Sequence, residues 1–249
     1  MQRFANPNKF MAFSATLMPW LVGATVLFFL AGLYSSFFVA PPDYQQGETV
    51  RIMFVHVPSA WLAMMCYGVI ALSSFVLLVW RHPLADVSAK AAAPIGAAFT
   101  LLALVTGSLW GRPMWGAYWV WDARLTSVLI LFFLYIGLIA LRRAVDDEAL
   151  AARLTAILAL VGTVILPIIK FSVEWWHTLH QPSSVLKIGG PAVHSSILWP
   201  LLVMAVAFIC LFLTLHLAAM RNEILRRKIA ATRIMRVERA AAHQAQPAE

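Results

Sequence analysis

The chain has 249 residues, 61% of them hydrophobic and only 12% charged, and carries a net charge of +8. This composition excludes a soluble globular protein and a disordered one, and the two cysteines, Cys66 and Cys210, both lie inside apolar runs, which excludes a disulfide scaffold. The basic excess is concentrated in the C-terminal tail, so it reads as an anchor on anionic lipid and no nucleic-acid partner is expected.

In chain order, apolar runs at 17–39, 59–80, 92–110, 126–142, 154–172 and 197–219 are each about 18 residues or longer, enough to cross a bilayer. Lipid leaves only helices and closed barrels able to satisfy the backbone, and these runs show no two-residue alternation. The expected fold is therefore an all-α polytopic membrane protein, a six-helix transmembrane bundle in a single integral domain over 1–249. The first run follows Arg3 and Lys9, but it exceeds the roughly 7 to 15 apolar residues of a signal peptide and is read as a retained anchor. Pro94 and Pro200 are expected just inside helix starts, and Pro167 is expected to kink the fifth span.

Of the 19 lysines and arginines, 14 fall at the N-terminus, in the 81–91 and 142–153 loops and in the tail 220–249. The positive-inside rule then puts both termini in the cytoplasm. The outward segments hold four of the seven histidines, His56, His177, His180 and His194, together with the string Trp110 to Thr126, WGRPMWGAYWVWDARLT.

That string packs Trp110, Trp115, Trp119 and Trp121 beside Tyr118, Arg112, Arg124 and Asp122. Indole faces, cations and nearby imidazoles suit a porphyrin, which offers a broad apolar face, anionic propionates and an iron that takes axial imidazole. If 111–121 were helical, Trp115 and Trp119 would share one face with Arg112 adjacent, and Gly111 and Gly116 would leave room for the ligand. Plainer readings stand beside these. Tryptophan is enriched at membrane interfaces anyway, Asp122 can cap the fourth helix, Arg124 can be merely interfacial, and Lys170 and Glu174 can pair along a helix. His177 and His180 form an H-x-x-H, a weak zinc signal without an acidic third ligand.

WGRPMWGAYWVWDARLT resembles the WWD signature of the haem-handling membrane proteins of cytochrome c biogenesis. With MFVHVPSAW, FSVEWWHTLHQ and the six-span length, the chain is similar, over nearly its whole extent, to the cytochrome c maturation protein C family of system I. The resemblance implies a haem b carrier in the cell inner membrane, its site facing the periplasm. It implies His56 and His180 as axial ligands of the iron, with His177 as the alternative to His180, and Trp110, Trp115, Trp119, Trp121, Asp122, Arg112, Arg124, Tyr118, Trp175 and Trp176 around the haem. It also implies partners: the haem chaperone CcmE, which receives haem through a covalent bond to its own histidine, the small membrane subunit CcmD, and the ABC subunits CcmA and CcmB. The chain has no G-x-x-x-x-G-K-[ST] motif, so any ATP hydrolysis is a partner's work. Rival readings are a WWD-type haem lyase acting on apocytochrome, which would need a further large outer domain, and a solute transporter, which would need polar pairs or broken helices at mid-depth.

Overall fold

The computed structural model describes residues 6–181, 184, 185, 187 and 189–244, without the side chains of 237, 238 and 240–244. Arg3 and the end of the basic tail lie outside the described residues. Seven helices follow in order: α1 (Pro7–Tyr34), α2 (Met53–Trp80), α3 (Pro83–Trp115), α4 (Ala123–Ala144), α5 (Glu148–Gly162), α6 (Ile165–Trp175) and α7 (Ser195–Gln244). With α5 and α6 forming one crossing, six segments are long and apolar enough to span a membrane.

Local chemistry explains the helix starts. Asn6 accepts the Asn8 N–H ahead of Pro7, and Asp147 accepts the Leu150 N–H at the head of α5. Pro83, at the first turn of α3, follows a two-residue reversal in which Arg81 takes a left-handed conformation, φ 51°. This turn corrects the expectation for the 81–91 loop. The helix begins at Pro83, so Pro94 is interior to α3, and Pro200 likewise lies inside α7. Pro58 is also interior: α2 begins at Met53, directly after a short 3-10 segment at Glu48–Ile52, so His56 sits in the helix rather than before it. A proline disfavours helix at the residue before it and has no N–H for the carbonyl four back, and the complete burial of Phe54 outweighs that cost.

The expected kink in the fifth span is present. Pro167 has no N–H to give the carbonyl four residues back, and the helix breaks at Thr163 and Val164, where the bonds tighten to Thr163 N–H to Leu160 O, 3.2 Å, and Leu166 N–H to Thr163 O, 3.0 Å. Thr163 turns its hydroxyl back onto the Ala159 carbonyl, 2.9 Å, so no polar pair crosses the bundle from the break.

The core lies where α2, α3, α4 and α7 meet, around Phe54, Tyr67, Leu131, Tyr135, Leu201 and Met204. Tyr135 donates to the Ala63 carbonyl, 2.7 Å, which satisfies its hydroxyl inside the apolar bundle. α1 leans chiefly on α7, pinned by Arg221 donating to the Met11 carbonyl and Ser14, each 2.8 Å, and by Lys228 to Asn8, 2.6 Å. Six crossings and these pins bring the start of α1 and the part of α7 beyond Arg221 to one end of the bundle, the terminal face. The other end carries His56 and Trp110 to Asp122.

Candidate functional site at the histidine face

His56, in the first turn of α2, brings Nδ1 to 3.1 Å from the Thr106 hydroxyl on α3. That hydroxyl spends its one proton on the Leu102 carbonyl, 2.6 Å, so its oxygen accepts and His56 Nδ1–H donates. The tautomer follows: Nε2 of His56 carries a free lone pair. Gly107 makes room for the ring, since a Cβ there would stand 2.9 Å from His56 Cε1. The Trp110 ring meets His56 edge-on, centroids 5.6 Å apart at 71°, and its indole N–H donates to Gln46, 3.0 Å.

α3 carries the tryptophan string only as far as Trp115. Gly116 ends the helix at φ 77°, a conformation open to glycine, and 116–122 run as an irregular strap to α4. Trp115 and Trp119 therefore do not share a helical face. Arg112 keeps its i, i+3 relation to Trp115 within α3, and its guanidinium donates to the Gly116 carbonyl and lies 5.6 Å from the Tyr118 ring centroid, closing the helix end. Gly111 allows the strap to fold back, since a Cβ there would stand 3.1 Å from the Trp115 ring and 3.2 Å from the Ala117 carbonyl.

The strap ends at Asp122, which is buried and divides its carboxylate. Oδ1 accepts the Leu125 N–H, 2.7 Å, capping α4, and Oδ2 lies 3.2 Å from His180 Nδ1. His180 Nδ1–H therefore donates to Asp122, and its Nε2, like that of His56, has no hydrogen-bond partner among the described residues. Burial holds the His180 pKa below its usual value; the hydrogen bond and charge of Asp122 oppose the shift and Arg124 adds to it. His180 packs edge-on against Trp115, centroids 4.7 Å apart. His56 and His180 lie within electrostatic reach of each other and of Arg124. Two neutral imidazoles, each locked through Nδ1 and backed by a tryptophan, thus share one end of the bundle.

The other candidates are placed differently. Trp119 and Trp121 form an edge-on pair, 5.4 Å apart; the Trp119 N–H is buried with no partner among the described residues, and Trp121 is 75% exposed. Arg124 donates to Ser172 and to the Ile169 and Lys170 carbonyls, tying α4 to α6, with Glu174 in electrostatic reach. No ion pair joins Lys170 to Glu174 among the described residues. Trp175 and Trp176 pack on each other and Trp175 on Phe171, both half exposed. α6 ends at Trp175, so His177 and His180 lie beyond it and share no helical face for zinc; His177 is exposed, and His194 bonds locally to Ser196. Thr106, Gly107 and Gln46 carry no motif in the sequence and emerge only as neighbours of His56 and Trp110.

The fold and this site define a polytopic membrane protein with a paired-histidine, tryptophan-rich end. The family model described as CcmC, Heme exporter protein C, matches residues 1–235. A protein named Heme exporter protein C from Bradyrhizobium diazoefficiens is 65% identical over 95% of this chain and 90% of its own length. Those of the same name from Escherichia coli and Paracoccus denitrificans are 47% identical over 90% and 91%, and 43% identical over 92% and 95%, of the two chains respectively. The chain belongs to the heme exporter protein C family.

Proposed function

We propose that this protein handles haem for cytochrome c biogenesis, binding haem b at the histidine face with His56 and His180 as axial ligands through Nε2. The observation that supports this reading is the matched state of the two imidazoles: each donates from Nδ1 to a fixed acceptor, Thr106 or Asp122, and neither Nε2 has a hydrogen-bond partner among the described residues. A hydrogen-bonded outer nitrogen is the usual means of orienting a ligating histidine and raising its basicity.

The aromatic residues suit the rest of the molecule. Trp110 and Trp115 back the two imidazoles, while Trp119, Trp121 and Tyr118 offer apolar surface and a spare indole donor. Arg112, exposed at the helix end, and Arg124 supply positive charge for the propionates. Trp175 and Trp176, half exposed, suit the rim, where a partner would dock. A site at the bundle end, with displaceable ligands, allows both capture and release. The protein then acts by positioning haem for attachment to the chaperone CcmE, in a complex with CcmD, CcmA and CcmB. The proposed setting is the inner membrane, with the histidine face toward the periplasm, and haem enters laterally from the outer leaflet or from a partner.

The test is the visible spectrum of the detergent-purified protein beside His56→Ala and His180→Ala at equal expression. A low-spin bis-imidazole band that each variant shifts or loses is the expected result. A wild type that takes up no haem would overturn the reading.

A further inference from the structure

A second site lies at the terminal face. Eighteen residues separate His56 from Ser74 on α2, about 27 Å of helical rise, and around Ser74 the helices α2, α3, α4, α5 and α7 part to leave a cavity of about 590 Å³. That volume falls within the roughly 300 to 1,000 Å³ of small-molecule sites. Its wall is apolar, formed by Ile70, Leu77, Pro94, Leu138 and Ile139 among others, and its mouth is charged, with Lys90, Arg143 and Arg226 at the edge.

The charges at this end do not balance. Asp86 and Glu223 are buried and Glu148 is exposed, and these three carboxylates are held by four cations, with Arg143 as a fifth beside them. Arg142 grips Asp86 through two bonds, 2.6 and 2.8 Å, and Arg227 reaches the same carboxylate at 2.5 Å. Glu223 accepts from Lys90, Arg226 and Arg227 at 2.7 to 2.9 Å, and Arg226 also reaches Glu148. Every acid is already held by two or more cations. Arg143 lines the cavity, is exposed, and has no ion pair among the described residues.

An apolar chamber lined by four cations and three carboxylates, one positive charge in excess, matches one chemical class. We propose that it binds an anionic amphiphile, an apolar body carrying phosphate or carboxylate, admitted from the adjoining leaflet. Two sources share this chemistry: an anionic phospholipid, as expected of a basic pocket between transmembrane helices, and a tetrapyrrole with propionates. The inference does not depend on the histidine-face reading.

Native mass spectrometry of the full-length protein in uncharged detergent tests it. Phosphatidylglycerol and phosphatidylcholine of the same chains are offered to the wild type, and hemin is offered to the His56→Ala, His180→Ala double variant, which lacks the outer ligands. Expected is retention of phosphatidylglycerol, or of hemin, at least fivefold above phosphatidylcholine, lowered about fivefold by Arg143→Glu and also by Ala219→Phe, which fills the chamber without touching a charge. Which of the two anions is retained names the source. Equal retention of the two phospholipids with no hemin held, or anion retention unmoved by either variant in protein of wild-type melting temperature, overturns the proposal.

Discussion

Asp122 and His180 are 58 residues apart in sequence, yet Oδ2 of one lies 3.2 Å from Nδ1 of the other, while the remaining Asp122 oxygen caps α4. One carboxylate thus fixes both a helix start and an imidazole. Asp122→Asn keeps a good cap but replaces the charged acceptor with a neutral one. Haem affinity is expected to fall about 10- to 100-fold, the usual cost of losing an outer-shell partner of a metal-binding histidine, with little change in melting temperature. A hemin titration giving the wild-type Kd would show that Asp122 acts on the helix alone.

Gly107→Ala places a Cβ 2.9 Å from His56 Cε1, so the ring must tilt away from Thr106. The protein is expected to insert and fold while its haem loses the low-spin band. Thr106→Val, nearly the same size but without the hydroxyl, should act on the same ligand and leave the His180 side untouched. If both variants show wild-type spectra, His56 is not held by this contact.

The pKa of His180 is depressed by burial, so the folded protein favours its neutral form. The sign follows: this contribution to folding is complete above the unfolded value of about 6.5 and is lost as pH falls through the lower, folded value. Haem ligation by His180 should therefore persist below pH 6.5 and fail only on further acidification. Because Asp122 opposes the shift, Asp122→Asn should lower the His180 pKa further in the haem-free protein. Acid titration of the visible band checks the first expectation and titration of the His180 ring signals in haem-free protein the second; a His180 pKa that rises in Asp122→Asn would contradict the assignment of cause.

Arg142 is almost fully buried against Asp86, whereas Arg226 is half exposed beside Glu223. Removing Arg142 leaves the buried Asp86 with Arg227 as its remaining cation, at a cost of up to about 3 kcal/mol, and an exposed pair contributes less than about 1 kcal/mol. Arg142→Ala is thus expected to lower the melting temperature in detergent clearly and Arg226→Ala only slightly. Equal losses would mean that the network shares its load evenly.

Much of the architecture was legible from single residues. Nearly uncharged runs long enough to cross a bilayer forced helices, and Pro167 located the break because its missing N–H acts on the residue four before it. Asp122 was readable as a cap from its place before an apolar run. Helix ends were less so: Pro58 and Pro94 looked like boundaries but are interior, because burial of their neighbours outweighs a local preference of a few kcal/mol at most. The tryptophan string read as one helical face because spacing is silent about Gly116, whose positive φ ends the helix within it.

By itself the sequence determined that this chain spans a membrane six times, and it brought the tryptophans and four histidines to one expected end; these follow from composition and chain length, which need no knowledge of neighbours. Only the tertiary structure decided which histidines are held through Nδ1. Thr106 reaches His56 across 50 residues and Asp122 reaches His180 across 58, contacts between separate elements that no spacing rule encodes, and they fix each ring's tautomer.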